Sequence, residues 1–329
     1  MIVISTGCPA SIGPEISLLA AKRYRSLPCV LVGDPETLQR AAELVKVPRA
    51  RVELWSGSAP NPGRITIFPS GPRLTARDRE PKKITARAGA AQLAYVNDAY
   101  RLVKEQGGAL VTAAVSKAAI AHSGEPGADA FRGHTEWLQA LDGAPSTTMC
   151  FHSPKLSTSL VTTHIPVSRV PASLTPDGVA RSVVHLSQML IAAGVEKPRV
   201  VVASLNPHAG EDGLLGGEEQ STIVPGIKAA RARLRARAQI SGPLGAETAY
   251  RHAASGRYDG VVAMYHDQAT IPLKLIAFGS AVNVTMGLSV IRTSVDHGTA
   301  YDIAWSGKAD ATGMVCAIRF AARMAKLPV

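Results

Sequence analysis

The stretch Asp259–Ala304 constrains the fold of this chain more than any other, and it reads DGVVAMYHDQATIPLKLIAFGSAVNVTMGLSVIRTSVDHGTAYDIA. Short apolar runs, Val261–Met264 and Ala281–Thr285, alternate with clusters of His, Asp, Lys, Arg and Gly. Apolar runs of that length between polar punctuation mark buried strands of an α/β sheet. Ligands bind such sheets outside the strand ends. His266, Asp267, Gln268, Lys274, Asn283, Arg292, Asp296 and His297 are therefore expected on the rim of one cleft. His and Asp suit a divalent metal, Lys and Arg suit an anion, and the HGTA turn lets backbone approach a ligand.

With 329 residues the chain can bury a large core, in one large domain or two. Its formal net charge of +11 is compatible with nucleic-acid binding, with attraction of an anionic substrate, or with a solvated Arg-rich surface. The dense basic run is Lys228–Arg237, KAARARLRAR. Its arginines recur every second residue, so they scatter around a helix instead of forming a stripe, and no nucleic-acid motif accompanies them. Surface decoration is the preferred reading, and nucleic acid is not expected as a partner. The four cysteines, Cys8, Cys29, Cys150 and Cys316, are far apart and form no CxxC pair. That argues against a zinc ribbon or disulfide framework and for a reducing compartment. No run approaches the ~18 uncharged apolar residues of a membrane span, and no basic segment precedes the apolar start. A cytoplasmic location is the expectation.

Ile2–Ser5, the turn TGCPASIGPE and a helical pattern over Ile16–Tyr24 open an α/β unit, with Pro14 where a first helical turn accepts it. Gly7 and Gly13 do not fit G-x-G-x-x-G, and no Walker lysine follows. Further strands are expected at Cys29–Gly33, Arg64–Phe68, Ala109–Thr112 and Arg199–Ser204, with an antiparallel pair at Cys150–Ser153 and Ser157–Thr163. Helices are expected at Asp34–Val45, Ala86–Glu105, Leu174–Gly194, Glu218–Arg237, Glu247–Ala254 and Ala311–Lys326, and a loop at Gly242–Ala246.

Three of the nine histidines share one context: His164 in TTHIP, His208 in NPHAGE and His266 in MYHDQ each follow an apolar strand. Three imidazoles gathered from strand ends make a divalent-metal site with positions left open for substrate. Taken singly, each reads rather as a hydrogen-bonded loop or rim residue, and only the shared context puts the metal reading level with that one. His134-Thr135-Glu136 can open a helix whose N–H groups and threonine hydroxyl hold an anionic oxygen, or be a plain cap. Lys274, Asn283 and Arg292 sit in apolar strand neighbourhoods, where an unpaired charge is costly, so ligand contact is expected of them. VDHGTAYDIA is either an ordinary glycine turn or a nucleotide-contacting loop.

The motifs GHTE, TTHIP, LNPHAGEDG, GPLGAET, YDGVVAMYHDQ, NVTMGL and IRTSVDHGTAYDIA run in order from first strand to last helix. Together they closely resemble the 4-hydroxythreonine-4-phosphate dehydrogenase family of pyridoxal phosphate biosynthesis. The resemblance implies a two-domain α/β/α sandwich like isocitrate and isopropylmalate dehydrogenases, with the active site in the interdomain cleft. Residues 1–133 with 270–329 would form the cofactor-side domain, and 134–269 the metal, substrate and dimerisation domain. It also implies a homodimer whose active site is shared across the interface. His164, His208 and His266 match the ligands of a divalent metal (zinc, magnesium or cobalt), with His266 coming from the partner subunit. His134, Thr135, Lys274, Asn283 and Arg292 match the substrate contacts. His297, Gly298, Thr299 and Ala300 resemble the loop that receives NAD or NADP. Asp267 can orient a ligand histidine or act as base, with the orienting role preferred, and Lys274 is a further catalytic candidate. The implied reaction oxidises 4-phosphohydroxy-L-threonine to a β-keto acid that loses carbon dioxide, giving 3-amino-2-oxopropyl phosphate.

The chain departs from the family pattern at Cys8 and Ser11 in GCPASIGPE, Ala114 in TAAVSK, Glu247 in GPLGAET and Ala269 in MYHDQA. None removes an expected ligand, but Cys8, Ala114 and Glu247 are expected near the cleft. They leave open a paralogous dehydrogenase of D-erythronate or D-threonate 4-phosphate. A metal-dependent decarboxylase or hydrolase without NAD, or a non-catalytic anion- or nucleic-acid-binding module, are remoter alternatives.

Overall fold

The computed structural model describes residues 1–328. The chain forms two compact units, residues 1–145 with 288–329 and residues 146–287. The helix that begins at His134 lies in the first unit, and Lys274 in the second.

The first unit opens with β1 (Ile2–Ser5), α1 (Gly13–Arg23), β2 (Cys29–Gly33) and α2 (Pro35–Leu44). It continues through β3 (Val52–Leu54), β4 (Ile65–Pro69), α3 (Ala86–Gln106), β5 (Ala109–Thr112), α4 (Lys117–Ala121) and α5 (His134–Asp142). In the second unit follow β6 (Thr148–His152), β7 (Ser157–Leu160), α6 (Val170–Ser173), α7 (Pro176–Ala192), β8 (Arg199–Ala203), α8 (Val224–Leu234) and β9 (Gln239–Leu244). That unit ends with α9 (Ala246–Ala254), β10 (Gly260–Ala263), α10 (His266–Ala277) and β11 (Val282–Met286). The chain then returns to the first unit with β12 (Ile291–Val295) and α11 (Thr312–Met324).

In the first unit β3-β4-β2-β1-β5-β12 pair in that order, all parallel. Val3, Val30, Val32 and Leu110 pack with Ala91, Tyr95, Val96 and Ala99 of α3. The intervening Ile2, Ile4 and Leu31 point to the other face and are fully buried too. Burial on both faces explains the uninterrupted apolar runs, each such side chain contributing roughly 1.5–3 kcal/mol. Parallel strands end on one edge, so the turns after β1, β5 and β12 gather there. Gly7 has φ +72°, and a Cβ on it would lie 2.3 Å from the Ala114 carbonyl oxygen, so only glycine lets these two turns meet.

In the second unit the order is β11-β6-β7-β10-β8-β9. β11–β6 and β6–β7 are antiparallel, and the rest are parallel. Val201, Ala203, Val261 and Ala263 pack with Ala249, Tyr250 and Ala253 of α9 and with Ala269 and Leu273 of α10. Because β7, β10 and β8 are consecutive and parallel, the segments carrying His164, His266 and His208 leave one edge of this sheet.

Two expectations are corrected. Gly242–Leu244 belongs to strand β9, paired through Leu244 with Ala203, and only Gly245 separates it from α9. The single helix expected over Glu218–Arg237 is a π turn (Glu219–Ile223) leading into α8, which stops where Arg235 adopts φ 53°. Two arginines of the basic run have structural partners: Arg231 donates to the Ile240 carbonyl and Arg233 pairs with Asp177. Among the described residues the four cysteines are unpaired, and no helix is long and apolar enough to cross a membrane.

Candidate active site

In the first unit, β12 and the start of α5 bring cations to one place. Arg292 is only 3 % exposed, and its Nη2 donates to Thr112 Oγ1 at 2.7 Å. Burial pushes its pKa down to about 10, against the pull of Glu136. α5 begins at Gly133-His134, and Gly133 offers no side-chain cap to the first-turn N–H groups. His134 Nε2 is buried without a hydrogen-bond partner. Burial, with the charges of Arg292 and Lys117, holds this imidazole well below its ordinary pKa of 6.5, so it is neutral. Lys117 Nζ lies 3.8 Å from where a Cβ on Gly133 would sit. Two cations, an orphaned ring nitrogen and an uncapped helix N-terminus together match the needs of a phosphate. Lys117, which leaves the end of β5 toward the rim as its sequence suggests, joins them although it is not among the expected substrate contacts.

His134 and His185 carry a pH prediction. Burial and Arg181 lower His185 from 6.5 to about 4. A histidine whose folded pKa lies below its unfolded value binds fewer protons folded than unfolded, so stability is intact above pH ~6.5 and falls as pH drops through it. The melting temperature is expected to fall between about pH 7 and pH 4, and the slope to flatten in His134→Gln and His185→Gln. Wild-type slopes in both variants would exclude these rings as the cause.

The cofactor-loop candidates follow β12. His297 Nδ1 bonds the Gly298 carbonyl at 2.9 Å, and its Nε2 is buried without a partner. Thr299 O accepts from Ile12 N–H at 3.3 Å. The Glu15 carboxylate, fully buried, accepts from Trp305 N–H at 2.7 Å and Gly307 N–H at 3.0 Å. Burial raises its pKa, and those two bonds oppose the rise. Thus the first turn clamps the segment 299–307. The departure Cys8 meets this segment, its Sγ standing 3.6 Å from Tyr301 Oη. Sequence reasoning missed Glu15, because an acid in a first helical turn reads as an ordinary dipole partner.

In the second unit, His164 and His266 lie side by side, with ring centroids 5.6 Å apart. Two imidazoles bound at ~2.1 Å to one tetrahedral metal put their centroids roughly 5–5.5 Å apart, so the pair fits a shared ion. His266 Nδ1 donates to Asp267 Oδ1 at 2.7 Å, leaving Nε2 for a ligand bond. That bond ties the exposed Asp267 carboxylate to this ring. His208 stands apart: among the described residues no three His, Cys, Asp or Glu side chains gather closely enough to hold a metal. One chain thus brings two of the three imidazoles together. Adjacency of β7 and β10 pairs the first two, whereas His208 sits in a run of left-handed residues, His208–Asp212, after β8. The resemblance implied that His266 crosses from a partner subunit, yet here it stands beside His164 of its own chain.

His208 lines an open hollow of about 580 Å³ with Asn206, Tyr265, Gln268 and the departure residue Glu247. Glu247 is exposed and paired with Arg251 at 3.1 Å. Asn283, on β11, has its Oδ1 buried without a partner. Lys274 does not sit in a strand neighbourhood as expected; it is exposed on α10, two turns beyond Asp267 on the same face.

Residues 25–321 match the family model of the pyridoxal phosphate biosynthetic protein PdxA. The chain belongs to the PdxA family. A relative from Desulforapulum autotrophicum named 4-hydroxythreonine-4-phosphate dehydrogenase is 36 % identical, covering 99 % of this chain and 96 % of its own. A D-threonate 4-phosphate dehydrogenase from Cupriavidus necator is 39 % identical, covering 99 % and 97 %. The solved 4-hydroxythreonine-4-phosphate dehydrogenase of Klebsiella pneumoniae superposes with a TM-score of 0.83 at 35 % identity, over 99 % of both chains. The fold is thus the mixed α/β fold of the PdxA dehydrogenases, and this PdxA-family chain is an oxidoreductase.

Proposed function

We propose that this chain oxidises 4-phosphohydroxy-L-threonine with NAD or NADP and a divalent metal, in pyridoxal 5'-phosphate synthesis in the cytoplasm. The product is a β-keto acid that decarboxylates to 3-amino-2-oxopropyl phosphate. The observation that carries this reading is the orphaned His134 Nε2 between Arg292 and Lys117, a built receptor for a phosphate. His164, His208 and His266 would hold the metal; imidazole donors suit zinc or cobalt better than magnesium. When bound, the metal supplies Lewis acidity that lowers a substrate hydroxyl's pKa, and the nicotinamide accepts the hydride.

The chain's own residues do the rest. Arg292, Lys117, His134 and Thr135 hold the phosphate. Asn283 Oδ1 accepts from the substrate's ammonium or hydroxyl. Asp267 keeps the proton on His266 Nδ1, and Lys274 exchanges a proton with the substrate. His297, Gly298, Thr299 and Ala300 contact the cofactor, braced by Glu15.

The working form in this reading is a homodimer. α10 exposes Ile271 and Leu275, and Phe278 follows at its end, the last two 83 % and 86 % accessible, a surface that a second copy would cover. The imidazole shared between subunits is then His208, since His164 and His266 already stand together.

The test is cofactor reduction followed by absorbance, with each candidate substrate, with zinc, cobalt or chelator. Chelator-sensitive reduction with 4-phosphohydroxy-threonine is expected. Turnover of D-threonate or D-erythronate 4-phosphate alone would establish the second reading, which the 39 % identity to the Cupriavidus enzyme keeps in play. No reduction with any of them would overturn both.

A further inference from the structure

We infer that Gln268 is a positioning residue that anchors the root of the His208 loop to the strand end that carries His266, so that each subunit presents His208 in a fixed place, an inference that rests on the metal reading above. β8 and β10 pair in parallel through Gly260↔Val200, Val261↔Val201 and Val262↔Val202. One residue past the ends of the two strands stand Ser204 and Met264, two positions on from the Val262↔Val202 pair. There the Gln268 carboxamide bridges them: Met264 N–H donates to Oε1 at 2.7 Å, and Nε2 donates to the Ser204 carbonyl at 2.8 Å. It adds one rung to the ladder where the two segments part, one toward His208 and the other toward His266.

Beyond that rung the loop is held from behind. Ser204 Oγ donates to the Asn206 carbonyl at 2.8 Å. Glu219, 1 % exposed, accepts from Leu205 N–H at 2.9 Å, Asn206 N–H at 2.8 Å and Asn206 Nδ2 at 2.9 Å. His208 follows two residues later, with φ 51°, and the next four residues also have positive φ. L-residues adopt that conformation at a cost of about 1 kcal/mol or more each, so anchors must impose it. A carboxamide offers an acceptor and a donor side by side on one planar end. Glutamate at 268 would keep the bond from Met264 but set a second oxygen against the Ser204 carbonyl.

The experiment titrates metal-free wild-type protein, Gln268→Glu and Gln268→Met with Zn²⁺ against a chromogenic chelator, and records the visible spectrum with Co²⁺. Zinc affinity is expected to fall about 10- to 100-fold in both variants. The cobalt band is expected to change and nicotinamide binding to stay at the wild-type value, while the metal-free melting temperature falls only modestly, through the backbone groups of Met264 or Ser204 left unpaired. Should the glutamate variant fail to fold, the neutral methionine variant carries the same expectation. Unchanged zinc affinity, or affinity falling only in step with melting temperature, would overturn the inference. Zinc binding that His164→Ala and His208→Ala abolish, and the Gln268 variants leave intact, refutes this inference alone. A wild-type protein that binds no zinc removes the metal reading and the inference with it.

Discussion

His208→Ala is expected to lose metal and to lower turnover by roughly 10³-fold, as is His164→Ala, because in the proposed site each removes a donor to the ion that would activate the substrate hydroxyl. The two losses are expected to complement each other. In the proposed dimer His164 and His266 come from one subunit and His208 from the other, so mixed dimers of the two variants would contain one intact site. Random reassortment makes about half the dimers mixed, so about a quarter of wild-type activity should return. His164→Ala mixed with His266→Ala should regain nothing, since both residues fall in the same half-site. Recovery in the second mixture but not the first would mean that His266 crosses the interface. Recovery in neither would place the whole site within one chain.

Arg292→Met is expected to lower kcat/KM for a phosphorylated substrate by about 10²-fold or more, the usual loss when one partner of a buried charge pair is removed. For the same substrate without its phosphate, the variant and the wild type should differ little. The fold should survive, because methionine fills much of the arginine's volume and its removal relieves a guanidinium already pushed down to about 10 by burial. An equal loss on both substrates would assign Arg292 to something other than the phosphate.

Much of this was legible in the chain before any coordinates. Strands such as Ile2–Ser5 and Cys29–Gly33 stand out because burial on both faces demands unbroken apolar runs. His164, His208 and His266 could be grouped because each follows such a run. Their distances could not, since separation between strand ends depends on strand order, and no local pattern says that β10 lies between β7 and β8. Lys274 was misjudged for a related reason: IPLKLIA is apolar enough for a strand, yet it is helix with Ile271, Lys274 and Leu275 turned outward. Glu15, Glu219 and Gln268 were hard to see because their work is done on backbone N–H and C=O groups, which carry no residue identity.

The first unit is built from two separated stretches, and this bears on how the protein is made. Residues 146–287 are one continuous segment, with a core of their own once β11 has been synthesised. The first unit must wait longer. Until Ile291–Val295 arrives, β5 is paired with β1 alone, and neither Arg292 nor the 297–307 loop exists to be positioned. Its earlier strands therefore spend the synthesis of more than a hundred residues, on the order of ten seconds at typical ribosomal speed, with an apolar strand edge uncovered. That interval, more than any weakness of the finished structure, is where chaperones would matter to this protein.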